Sequence, residues 1–337
     1  MARQPLPSPY ATLVSGTPVS RSQVALRGGT THVWRYGSDA ETADHLVLLH
    51  GFRGDHHGLE PIVTHLLRER PDLRITVPDL PGFGASPPLP DGRHDVAGYA
   101  AWARDLVREV APAGTGVLAG HSFGSVVAAA AMSGPMSGPM SGPAAAGEAP
   151  VGTSPSATPL ARALVLINPI PRPPVSGRGR MGVGATAVVH DLAGALPEAA
   201  GTTLLRHAVL TRIASVAMVR TPDRAMRRWI HEEHGRYFAG FATRRSLLEA
   251  FRASITGSVR EWAAGIEVPS LLVGGARDDL APASDQQELV TLFRDARLVL
   301  VPGVGHLTHY ETPEAVAREI AAFLLEDVSD TQATRAV

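Results

Sequence analysis

The chain contains no cysteine, and all 31 of its basic residues are arginine, so lysine is absent as well. Without cysteine there is no disulfide, thiolate nucleophile, Cys-ligated zinc or iron–sulfur cluster. Without lysine there is no Schiff base, pyridoxal-phosphate attachment or P-loop lysine. No apolar run approaches the roughly 20 residues that span a bilayer. The opening stretch MARQPLPSPYATLVSG has no signal-type apolar core and is broken by prolines. The expectation is a cytoplasmic protein, monomer or homodimer, with no integral membrane association. A formal net charge of −1 supplies no global basic field for nucleic acid. Serine, histidine and carboxylates remain as the groups able to do chemistry.

At 337 residues the chain is long enough for one large domain carrying an insertion. SQVALRGGTTHVWRYG reads as two short strands around a Gly28-Gly29 turn. HLVLLHG (45–51) is a continuous apolar run, as a strand buried on both faces requires. HHGLEPIVTHLLRER then has helical spacing, with Leu59, Ile62, Val63, Leu66 and Leu67 on one stripe. LRITVPDL, GTGVLAGH, RALVLINP, VPSLLVGG and ARLVLV read as further strands, with helical segments between them. This alternation predicts the α/β class, with a mostly parallel sheet covered by helices on both faces.

Two segments interrupt the pattern. Residues 133–159 open with the repeat SGPMSGPMSGP, whose Gly-Pro spacing predicts a flexible surface insertion. Residues 170–265 lose the strand signal and carry Arg-rich amphipathic stretches, predicting a helical cap within the domain. Between Pro169 and Gly265, 14 Arg face 7 acidic residues, a balance of +7, whereas the remainder has 17 Arg against 25 acids, or −8. Arg220, Arg224, Arg227 and Arg228 share one predicted helical face; a solvated surface paired with Glu232, Glu233 and other acids is the expected reading, attraction of an anionic substrate or lipid headgroup the alternative. The expected layout is a flexible segment 1–24, a core of 25–169 and 266–327, the cap 170–265, and a flexible tail 328–337.

GHSFG places Ser122 between two glycines, but chance alone supplies about 0.2 such pentads in a chain of this composition. The partners decide. In parallel α/β sheets functional groups collect at strand carboxyl ends, and His50-Gly51-Phe52, Ser122, Asp278 and His306 each follow a different predicted strand. A serine nucleophile needs a neutral imidazole as base, a carboxylate to orient that imidazole, and two backbone N–H donors for the oxyanion. Phe52 and Phe123 are the candidate amide donors. His50, Gly51, Arg53 and His121 are candidate pocket residues, with His50 read as supporting the oxyanion loop. Asp55-His56-His57 is read as a loop histidine pair, not a metal site, because the histidines are adjacent. Asp79 and Gly82-Phe83-Gly84 read as a structural turn, and His309 as a loop residue.

LLHGF, PDLPGFGAS, GHSFG, VGGARDDLAP and GVGHLTHYETP, in this order, resemble the α/β-hydrolase fold superfamily over about residues 25–327. The resemblance implies an eight-stranded, mostly parallel sheet with an inserted cap. It matches Ser122 to the nucleophile, His306 to the general base and Asp278, in register in G-x-x-D-x-x-x-P, to the acid, with Asp279 as the alternative. Some relatives place the acid after the preceding strand, where this chain has the uncharged Asn168. Dehalogenases and epoxide hydrolases of this fold use aspartate where Ser122 stands. The implied activity is serine hydrolysis of a small-to-medium acyl compound, foremost a carboxylic ester, without metal or organic cofactor. The alternatives are a carbon–carbon bond hydrolase of the meta-cleavage-product type, whose usual tryptophan is Leu307 here, and a non-catalytic receptor.

Overall fold

The computed structural model describes residues 7–40, 43–90, 92–111, 114–133, 159–176 and 180–335. A short helix α1 (Ala11–Gly16) precedes the hairpin of β1 (Val19–Leu26) and β2 (Gly29–Gly37). Arg27 and Gly28 make its turn, both at positive φ (51° and 72°). A two-residue hairpin loop of this kind needs φ > 0 at both central positions. The turn therefore sits one residue before the expected Gly28-Gly29, and Gly29 opens β2. Helix α1 and the first residues of β1 lie within the segment 1–24 expected as flexible. Tyr10 donates its hydroxyl to Tyr310 O at 2.7 Å, and all of β1 pairs with β2.

The sheet continues with β3 (His45–Leu49), β4 (Arg74–Pro78), β5 (Val117–His121), β6 (Ala163–Ile167), β7 (Ser270–Gly275) and β8 (Ala296–Val301). The strand order is β1-β2-β4-β3-β5-β6-β7-β8, with β1–β2 and β2–β4 antiparallel and all other pairs parallel. β3, β5, β6 and β7 are buried along their whole length, which is why they read as unbroken apolar runs rather than alternating ones.

Helices cover both faces. α2 (Glu60–Glu69) packs with the closing helix against one side, where Ile62, Leu66, Val316 and Ile320 meet the sheet. α3 (Val96–Val110) and α4 (Phe123–Met132) lie on the other with Tyr99, Trp102, Val126 and Val127. The Ala128–Ala131 run of α4 is buried throughout. Small side chains there let the helix axis approach the sheet and α3 closely.

Between β6 and β7 lie α5 (Arg180–Ala195), α6 (Glu198–Leu205), α7 (Ala208–Met218), α8 (Arg224–Tyr237) and α9 (Arg244–Thr256), then two 3-10 turns ending at Gly265. This helical insertion is stitched to the loop after β4. Phe83 and Phe241 form an isolated antiparallel bridge, Ala242 N–H donates to Gly82 O, and Gly84 N–H donates to Gly240 O, both at 2.9 Å. α10 (Ala283–Val290) and α11 (Thr308–Glu311) flank β8, and α12 (Pro313–Arg335) closes the chain. α12 thus continues through most of the span expected as a tail at 328–337. The SGPM repeat falls outside the described residues. No helix among the described residues is long and apolar enough to cross a membrane.

Candidate active site

Ser122 occupies the turn between β5 and α4 with φ 53° and ψ −119°, a conformation costing a non-glycine residue on the order of 1–3 kcal/mol. The surroundings enforce it. Ser122 N–H donates to Ile167 O on β6 at 2.9 Å, and Ser125 donates through its N–H (2.9 Å) and hydroxyl (2.5 Å) to Ser122 O. The flanking glycines are required sterically. A Cβ on Gly120 would lie 2.2 Å from Gly124 O, and one on Gly124 would lie 2.5 Å from Leu49 O. Alternating glycines around the serine are thus the sequence trace of a backbone packed too tightly for side chains.

Three loops bring partners to this serine. Ser122 Oγ lies 2.7 Å from His306 Nε2, after β8, and His306 Nδ1 lies 2.7 Å from Asp278 Oδ2, after β7. A carboxylate only accepts, so Nδ1 carries the proton and Nε2 offers its lone pair to the Ser122 hydroxyl. Asp278 Oδ1 accepts from the N–H groups of Leu280 (2.9 Å) and Ala281 (3.1 Å). Burial alone would push the Asp278 carboxyl up. The charge and hydrogen bond of His306, the Ala281 amide and the Asn168 side chain outweigh it and hold the group below its ordinary range. Asp279, the alternative acid, instead turns outward and pairs with Arg220.

The Phe123 N–H opens α4, and the Phe52 N–H lies on the β3 loop that packs against the serine. A Cβ on Gly51 would sit 3.1 Å from Ser122 Cβ. Neither amide donates to a backbone acceptor outside its own helix among the described residues. His50 lies beneath this loop, with both ring nitrogens engaged. Its Nδ1–H donates to Gly51 O at 2.8 Å, and its Nε2 accepts from Leu80 N–H at 2.9 Å. Burial pushes its titration down, so it is a neutral brace.

Arg53, expected at the pocket, has its guanidinium on the helical insertion. Nε donates to Phe238 O (3.1 Å) and Nη2 to Leu205 O (2.5 Å), the carbonyls ending α8 and α6. Burial pushes its pKa down to about 10. The negative ends of two helix dipoles supply the compensating potential. Its backbone is left-handed (φ 62°) in the turn closed by Gly54 N–H to Gly51 O. His121 is buried behind His306, its Nε2 3.4 Å from His306 O and its ring 4.0 Å from that of His309. Burial first, then the His306 charge, push its pKa down to about 3.

The ligand atoms of Asp55, His56 and His57 lie within 4.8 Å of one another. The two imidazoles nevertheless serve different carboxylates: His56 Nδ1 donates to Asp79 at 3.0 Å and His57 Nδ1 to Asp55 at 3.2 Å. Each ring is also stacked, His56 on Trp34 and His57 on Tyr237. Asp79 further accepts from Ala85 N–H at 2.7 Å, which holds the Gly82-Phe83-Gly84 turn.

Residue-by-residue reading of the sequence missed the support around the acid. Asn168 is buried at the end of β6 in a left-handed conformation (φ 45°) and donates to Asp278 Oδ2 (3.1 Å) and Gly305 O (3.2 Å). Thr308 donates its hydroxyl to Asn168 Oδ1. One signal pointed there: Asn168 stands where some relatives carry the acid itself.

A family model described as "Alpha/beta hydrolase family" matches residues 46–319. Among solved structures, a thermophilic esterase from Thermogutta terrifontis superposes with a TM-score of 0.66 at 18% identity, covering 91% of this chain and 99% of that one. The enol-lactonase from Burkholderia xenovorans LB400 superposes at 0.65 and 19% identity, covering 90% and 100%. A pyrrolizixenacetamide deacetylase of Xenorhabdus hominickii is 38% identical over 71 residues, 21% of this chain and 26% of that protein's length. Family match, sheet order and strand-end loops agree: the chain belongs to the α/β hydrolase family and is an enzyme of that hydrolytic fold.

Proposed function

We propose that this enzyme is a serine hydrolase of small-to-medium acyl compounds, foremost carboxylic esters, with Ser122 as nucleophile, His306 as general base and Asp278 as the orienting acid. The observation that carries the reading is the unbroken relay of two 2.7 Å hydrogen bonds from Ser122 through His306 to Asp278. In the proposed cycle Ser122 Oγ attacks the carbonyl carbon while its proton passes to His306 Nε2. The N–H groups of Phe52 and Phe123 receive the oxyanion, where losing one donor of this kind costs about 3 kcal/mol. Collapse breaks the bond to the alcohol, which leaves with the proton from His306. Water then attacks the acyl-serine, giving a proton to His306, and the acid departs as Ser122 Oγ recovers it. Asn168 keeps Asp278 ionised and aligned throughout.

Serine at the nucleophile position supports acyl transfer over dehalogenation or epoxide opening. The 71-residue likeness to a deacetylase favours one second reading, cleavage of an acetamide by the same groups. A fluorophosphonate probe and a panel of p-nitrophenyl esters and acetanilides test both. Labelling that disappears in Ser122→Ala, together with turnover reduced by a factor of about 10³ or more, is expected. An unlabelled wild-type protein would overturn the proposal, and anilide turnover exceeding ester turnover would select the amide reading.

A further inference from the structure

Of the large hydrophobic side chains that stand exposed among the described residues, most belong to the helical insertion. On α7, Val209, Ile213 and Val216 are 56%, 62% and 53% exposed and fall at i, i+4 and i+7, forming one outward stripe. The opposite side of α7 is buried. Ser215 Oγ bonds His231 Nδ1 (2.6 Å) and His234 Nδ1 (2.7 Å) of α8. The inner face of α8 in turn places Trp229 and Ile230 in one apolar cluster with Leu307 and Tyr310, the residues following His306. The hairpin is thus firmly seated, and its outer stripe has nothing packed on it among the described residues.

The arginines beside that stripe differ from the rest of the insertion in their ion pairing among the described residues. Elsewhere in the insertion, Arg220, Arg236, Arg244, Arg245, Arg252 and Arg260 each pair with a carboxylate. Arg212 on α7 and Arg224, Arg227 and Arg228 on α8 have no carboxylate partner among the described residues, and all four are exposed. They border the same hairpin: the buried His231 feels the charges of both Arg212 and Arg227. Of the face read from the sequence, Arg220 pairs with Asp279, while Glu233 binds Arg236.

An apolar stripe edged by unpaired guanidinium groups matches a bilayer interface, where aliphatic side chains enter the acyl boundary and arginines meet phosphates. A two-fold pairing with a second copy would bring these unpaired arginines face to face, which like-charge repulsion opposes. The charge distribution orients the molecule: the insertion carries +7 and the rest −8, so an anionic surface attracts this face and repels the others.

We propose that the outer face of the α7–α8 hairpin docks on an anionic lipid surface. The proposal stands independently of the catalytic reading. Flotation with phosphatidylglycerol-containing vesicles, against pure phosphatidylcholine vesicles, tests it. The wild type is expected to float with the anionic vesicles only, and 0.5 M salt to weaken this. R227E/R228E is expected to lose about 30-fold or more in partitioning; I213D/V216D tests the apolar stripe, and R227Q/R228Q serves as the milder charge variant. Fluorophosphonate labelling and turnover of a short water-soluble ester should stay at the wild-type level in all three, which shows that they are folded. Absence of wild-type binding, equal binding to both vesicle types, or unchanged binding by the variants would overturn the proposal. So would a dimer in size-exclusion chromatography that I213D/V216D dissolves, which would assign the face to self-association.

Discussion

Asn168→Asp puts a second carboxylate where an amide now donates to Asp278 Oδ2 at 3.1 Å. Both positions are buried. Two full charges at that separation repel by about 5 kcal/mol at an effective dielectric near 20. The folded variant avoids this by keeping one proton between the two acids, whereas in the unfolded chain both ionise above about pH 4. Above that pH the folded state therefore binds more protons than the unfolded one, so stability falls as pH rises. The slope is about 1.4 kcal/mol per pH unit, giving roughly 4 kcal/mol by pH 7. Near pH 4 the new carboxylic acid can donate to Asp278 as the amide did. A residual difference of about 1 kcal/mol remains from the lost bond to Gly305 O. Urea denaturation of wild type and variant at pH 4.5, 6 and 7.5 measures the difference directly, since titrations common to both proteins cancel. Asn168→Leu, which adds no charge, should show a flat difference. A flat difference for Asn168→Asp as well would refute the view that Asn168 shields an ionised Asp278.

Two further outcomes follow from packing and burial. Gly124→Ala drives a methyl group into the carbonyls of Leu49 and His50, at 2.5 and 2.6 Å; a loss of about 1–3 kcal/mol is expected. Fluorophosphonate labelling should fall with it, and a variant with wild-type melting and labelling would show that the elbow is not close-packed. Burial pushes His121 and His234 down to about 3, below their unfolded value near 6.5. The unfolded chain therefore takes up protons first, and the stability is complete above about pH 6.5 and lost as pH falls toward 3. His234→Phe should flatten the pH dependence of the urea midpoint between pH 6.5 and 4, and an unchanged slope would refute the assignment.

The strands were legible because a run buried on both faces has to be apolar throughout, and β3, β5, β6 and β7 are. GHSFG was legible for a steric reason, now visible as the absent Cβ space at Gly120 and Gly124. Less was readable wherever a side chain could satisfy more than one environment. Nothing near Arg53 in the sequence signals that its donors end on Leu205 O and Phe238 O, more than 150 positions away. The beginning of β1 left no signal of its own because Pro and Ser dominate the composition there, while its pairing depends on β2.

What the sequence determined by itself was the set of local necessities: apolar runs for buried strands, glycines at the tight turns, and a serine, an acid and a histidine each following its own strand. These are short-range constraints of backbone geometry and hydrophobic periodicity, so they leave a trace in neighbouring letters. Only the tertiary structure decided which nitrogen faces which oxygen, that Asn168 donates to Asp278, that Arg53 ties the loop after β3 to two helix ends, and that Val209, Ile213 and Val216 point outward. Those outcomes depend on contacts between residues far apart in the chain. A helical stripe reads the same in the sequence whether it faces a core, a partner or water.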